Sequence, residues 1–166
     1  MKSLEEVLTY KNDYIIKEFL RKHNKRYNLS QEQALLLFDD LKRYLWMTAT
    51  IDIERKKNED ILLPDVSISE SMIIIDEIWH EFILVTEYYS DFCNQYFGKY
   101  IHHPPAMPKY ALNAKTLSEQ ECMEIFIEEL LETTYEYLGE EVTMRWFDTY
   151  RQYLSDNYKE ELSHHI

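Results

Sequence analysis

Ser69-Glu70-Ser71-Met72-Ile73-Ile74-Ile75-Asp76-Glu77-Ile78-Trp79-His80-Glu81-Phe82-Ile83-Leu84-Val85-Thr86-Glu87-Tyr88-Tyr89-Ser90-Asp91-Phe92-Cys93-Asn94-Gln95-Tyr96-Phe97-Gly98 contains no proline and carries its one glycine at the end. Advancing about 100° per residue, Ile75, Ile78, Trp79, Phe82, Val85, Tyr89, Cys93 and Tyr96 share one broad apolar face. Asp76, Glu77, His80, Glu87 and Asp91 lie opposite, with Ile73, Ile83 and Leu84 mixed among them. The spacing predicts a helix from about Ser69 to Phe97, stopped by Gly98 as a C′ residue. A helix apolar around most of its circumference belongs inside an assembly of helices. The fold expected is therefore all-α: about five helices in an irregular bundle around this long central third helix, followed by a proline-rich His-His loop.

The flanking sequence supplies the other helices. Ser3 with Glu6 forms a capping box opening a first helix from about Leu4 to His23, whose inner positions include Leu4, Leu8, Ile15 and Phe19. Ser30 with Gln33 opens a second, with Ala34, Leu37, Phe38, Leu41, Leu45 and Ala49 inward, fading near Arg55 to Lys57. Asn58 to Ile68, with Pro64, reads as a loop. His102-His103-Pro104-Pro105-Ala106-Met107-Pro108 cannot be regular helix, and a nonhelical crossing is expected from Ile101 to about Ala114. Ser118 with Glu121 opens a fourth helix ending at Gly139, with Met123, Phe126, Ile127, Leu130, Thr134 and Leu138 inward; a fifth covers about Glu140 to Tyr158.

Composition agrees with helices and narrows the function classes. Two glycines and four prolines in 166 residues leave too little turn punctuation for an all-β chain, and the length suits one helical domain over 1–166. Two cysteines, Cys93 and Cys122, make no disulfide framework, and the sequence from Met1 has no apolar run resembling a signal peptide. No apolar run is long enough to span a bilayer, so no membrane partner is expected and the cytoplasm is the expected address. The net charge is −13, and residues 118–166 alone carry −10. A nucleic-acid reader needs a basic face, so direct nucleic-acid binding is not expected. Glu121, Glu124, Glu128 and Glu132 line one side of the fourth helix, either as a solvated face or as a site for a basic protein partner.

Chemistry concentrates in the quoted stretch and just after it. Asp76 and His80 are one helical turn apart, so the carboxylate can orient the imidazole. Such a pair serves as a metal half-site, as an acid–base unit, or simply as a histidine satisfied by its neighbour. His102 and His103 follow the Gly98 turn and can double back. On a straight helix Gly98 lies about 27 Å beyond His80, whereas five extended residues reach about 17 Å. Contact therefore requires the third helix to bend or break. With such a bend, Asp76, His80 and His103 or His102 make a histidine–carboxylate set suited to a zinc or iron ion. Cys93 sits about 20 Å from His80 along an unbroken helix and cannot share that ion; a break would reopen the question. Trp79 is expected in the core or as a binding anchor.

Asp76, Trp79, His80, Tyr89, Cys93, Gly98 and His103 together resemble the pattern of the glycine-rich domain-containing protein-like family, Asp-x-x-Trp-His followed by Tyr, Cys, Gly and His, with weaker similarity around Leu41 to Trp46. The chain would be a compact stand-alone version without the glycine-rich tail. Plant members of that family carry a second His where Phe82 stands and a Pro where Thr86 stands, which implies a helix break near Thr86. The resemblance implies the site residues and no activity. Three functions remain open. A binding or regulatory module for another macromolecule is preferred over a metal-dependent enzyme or metal-stabilised protein built on Asp76, His80 and His103. A nucleic-acid mimic using the acidic third comes last. The oligomeric state does not follow from the sequence.

Overall fold

The structure, a computed structural model, describes residues 1–57, 66–103 and 118–153. Among these residues every regular element is helical: α1 (Leu4–Leu8), α2 (Asp13–Tyr27), α3 (Gln31–Lys57), α4 (Ile73–Leu84), α5 (Thr86–Phe97), α6 (Glu119–Leu138) and α7. The last begins as Glu140–Met144, widens into a π-helical turn at Arg145–Thr149 and closes as Tyr150–Gln152; a 3-10 turn, Glu70–Met72, leads into α4. One apolar cluster runs from Val7 to Tyr150. α3 touches α1, α2, α4 and α6, and α4 touches α2, α3, α5 and the 3-10 turn before it. The middle of the assembly is thus shared by the second expected helix and the first half of the third. All six expected inward residues of α3, Ala34 through Ala49, are buried.

The expected first helix is two. Ser3 and Glu6 form the capping box as read, but α1 ends at Leu8. Lys42, fully buried on α3, donates to the Leu8 and Tyr10 carbonyls at 3.2 and 2.8 Å and pairs with Asp39 at 2.7 Å. It occupies carbonyls that a continuing helix would use internally. Asn12 then caps α2 by accepting from the Ile15 amide at 3.3 Å. Burial pushes the Lys42 ammonium below its ordinary pKa, which Asp39 opposes.

The expected long third helix is also two, broken at Val85, whose φ of −94° and ψ of 67° lie near an inverse γ-turn. Phe82 and Phe92, about 15 Å apart on a straight helix, meet at 5.3 Å between ring centroids. Both rings also pack on Tyr10. Folding α5 back against α4 lets both halves bury aromatics in the same core. At its end Gly98 takes the left-handed conformation at φ 70°, and its amide bonds to the Asn94 carbonyl at 3.1 Å.

Beyond the undescribed residues 104–117, Ser118 and Glu121 form the expected capping box of α6. Phe126, Leu130 and Thr134 are buried as expected, whereas Met123 is 43% exposed and Cys122 is buried in its place. The C-terminal helix is anchored by a buried ionic node. Arg145 makes two hydrogen bonds to the fully buried Asp40, at 2.7 and 2.9 Å, and Arg43 and Tyr150 also donate to that carboxylate. The expected end of this helix at Tyr158, most of the loop from Asn58, and the crossing beyond His103 lie outside the described residues.

Candidate metal centre

Asp76 and His80 occupy successive turns of α4, as their spacing requires. His103 comes to them from the segment after α5. His103 Nε2 lies 2.7 Å from one Asp76 carboxylate oxygen, and His80 Nδ1 lies 3.3 Å from the other. The two imidazoles stack at 4.5 Å between centroids. One donor atom from each of the three residues lies within 4.8 Å of the others. Asp76 and His103 are three-quarters or more buried, while His80 keeps 54% of its side chain in solvent. The site is thus a shelf with one open side.

What brings His103 there is legible residue by residue. The αL turn at Gly98 reverses the chain. Lys99 then pairs with Asp52 on α3 and holds that carboxyl below its usual pKa. Ile101 is held by the peptide itself. Its carbonyl accepts from the Tyr89 hydroxyl at 2.7 Å, and its backbone bonds to the Cys93 thiol. The same Tyr89 oxygen accepts the Trp79 indole N–H at 3.0 Å. Trp79 is 3% exposed and forms the floor on which the His103 ring rests, 4.2 Å between centroids.

Nε2 of His103 shares a hydrogen bond with one Asp76 oxygen, and Nδ1 of His80 faces the other. Those nitrogens and the carboxylate oxygens are also the donors a metal would use, with protons released on binding. Zn–N and Zn–O bonds of about 2.0–2.2 Å place tetrahedral donors roughly 3.4 Å apart. His103 Nε2 and His80 Nδ1 stand 2.7 and 3.3 Å from different Asp76 oxygens, and one donor atom of each of the three residues lies within 4.8 Å of the others, on the scale of that spacing. The donor set fits a zinc or iron ion.

Two expected ligands are not part of this cluster. His102 is exposed, and its ring lies on Tyr100 at 4.9 Å. Of the histidine pair, His103 faces Asp76 while His102 turns to Tyr100. Cys93 is fully buried, on Tyr89 and Ile101 rather than beside His80. Burial raises its thiol pKa, which disfavours the thiolate a metal would need. The helix break redirects Cys93 toward the returning segment. Glu121, Glu124, Glu128 and Glu132 are all exposed on α6, remote in sequence from the cluster.

Sequence reasoning passed over the neighbouring face of α4. His23 lies between Glu77, 3.0 Å from Nδ1, and Glu81, 3.2 Å from Nε2, while Arg26 and Lys22 pair with the same two carboxylates. The signal was the matching i, i+4 spacing of Glu77 and Glu81, one residue out of step with Asp76 and His80. With a cation on each carboxylate, this network ties α2 to α4 and leaves Asp76 as the carboxylate that meets His80 and His103.

Neither a curated protein nor a solved structure matches the chain. A family profile does match, over residues 3–127, and it is that of the UCP032817-like family. This overturns the assignment to the glycine-rich domain-containing protein-like family: the short ordered string that carried it is contained within a match to a different family spanning most of the sequence. With residues 3–127 matched, the chain belongs to the UCP032817-like family.

Proposed function

We propose that this protein binds one divalent transition-metal ion, zinc or iron, through Asp76, His80 and His103. The observation that carries the reading is the convergence of three donor atoms within 4.8 Å from two separated segments. The chain reaches that arrangement only by breaking the α4–α5 helix and reversing at Gly98. Two imidazoles and one carboxylate suit either ion, and three protein ligands among the described residues leave a position for water or another small ligand. That is the coordination of centres that act on a bound molecule; structural zinc sites are closed by four protein ligands. The nearby Glu77 and Glu81 are tied to cations, so the open position has no free carboxylate base beside it on α4. The test is elemental analysis of protein purified without chelator, beside His103→Ala. About one metal per chain in the parent, lost in the variant, is expected from a three-ligand site. Metal-free parent protein that also fails to take up added zinc or iron contradicts the proposal.

A second reading, a regulatory module for a basic protein partner, is favoured by the exposure of Glu121, Glu124, Glu128 and Glu132 in the most acidic part of the chain. Their joint change to Gln should weaken capture of a basic partner, most strongly at low salt, because exposed charges are screened beyond about 10 Å at 0.1 M. Capture that ignores both salt and substitution rejects this reading.

A further inference from the structure

We infer that Tyr89 is the positioning residue of the Asp76–His80–His103 centre: its single hydroxyl fixes both the ring under His103 and the backbone segment that delivers His103. The inference rests on the metal reading above and adds a residue that no ligand count would identify.

Tyr89 is fully buried and ten residues from the nearer helical ligand-side contact, Trp79. Its hydroxyl accepts from the Trp79 indole at 3.0 Å and donates to the Ile101 carbonyl at 2.7 Å. Burial raises the phenol's pKa far above its ordinary value, so the proton for the second bond is always present. The first bond sets the rotation of Trp79, on whose face the His103 imidazole lies at 4.2 Å. The second holds Ile101, two residues before His103, against α5. Tyr100 closes edge-on over the Tyr89 ring at 5.1 Å, so the segment is held on either side of the carbonyl. One oxygen atom thus contributes both to the floor under His103 and to the path that brings it there.

The residue acts through Trp79 and Ile101 without touching the ion. Hydrogen-bond partners of the ligands themselves change metal affinity by about 10–100-fold, the scale set for Tyr89, which acts through one further contact.

The experiment is cobalt(II) titration of chelator-stripped protein carrying Tyr89→Phe, which keeps the ring and removes the hydroxyl. Affinity about 10–100-fold below the parent is expected, with Ile51→Val, a buried change on α3, binding like the parent. Equal affinity in parent and Tyr89→Phe overturns the inference and leaves the metal site standing. If the parent itself takes no cobalt, the metal reading fails, and the positioning role is read instead from imidazole ¹⁵N spectra of the metal-free protein. Tyr89→Phe should then lose the hydrogen-bonded His103 signature while His23 keeps its own; an unchanged His103 overturns the inference there too. Should Tyr89→Phe not fold, Trp79→Phe removes the indole donor instead, and unchanged affinity and His103 spectrum in that variant overturn it equally.

Discussion

Asp40 is the residue on which the C-terminal helix is anchored. It is fully buried and ionically bonded to Arg145 on α7, 105 positions away, and to Arg43 one turn along α3. The Asp40 carboxylate raises the Arg145 pKa further above its ordinary value, so the guanidinium keeps its charge. Removing one partner from such a node leaves a buried charge uncompensated and costs about 3–5 kcal/mol. Asp40→Ala should therefore lower the urea midpoint strongly; a change under about 1 kcal/mol would place the node among weak surface pairs. Nothing in the sequence distinguishes Asp40 from Asp39, since the partner is defined only by tertiary packing. Asp76 and His80 were legible because their partnership is local, one turn of one helix. His103 was legible only conditionally, through the limited reach of five residues.

The elements show the same division between local and distant causes. Capping boxes at Ser3, Ser30 and Ser118 were readable because donor and acceptor are three residues apart. Of the two interruptions, the one at Val85 was foreseen only conditionally, as a break near Thr86 that the short reach of the His103 segment requires, and the end of α1 was not foreseen. Val85 interrupts the helix without proline or glycine, and the compensation lies in Phe82 meeting Phe92 and Tyr10, contacts set by the whole core. The end of α1 depends on Lys42, more than thirty residues away. Gly98 was legible, and its role gives a clean test. A Cβ built there meets nothing within 4 Å, so the cost of Gly98→Ala comes only from the φ of +70°. That penalty is about 1–2 kcal/mol. Thermal melts should show it, and His103 should loosen from Asp76 in the same variant. Destabilisation well beyond that range would mean that Gly98 does more than turn the chain.

Across the whole molecule, a single apolar cluster joins α1 to α7, and no helix among the described residues is long and apolar enough to cross a membrane. The all-helical class followed from scarce glycine and proline and from periodicity; the number and pairing of helices did not, because they depend on where distant side chains cap or break each segment. An ion held by both α4 and the 98–103 segment binds only the folded chain, so free metal at 100 times its dissociation constant should add about 2.7 kcal/mol of stability. The measurement closest to the central claim is a calorimetric zinc titration of chelator-stripped protein, run beside Asp76→Asn. The account predicts about one equivalent bound by the parent, as a three-ligand site requires, and uptake abolished in the variant. No binding by the parent, or binding that Asp76→Asn leaves intact, would contradict it.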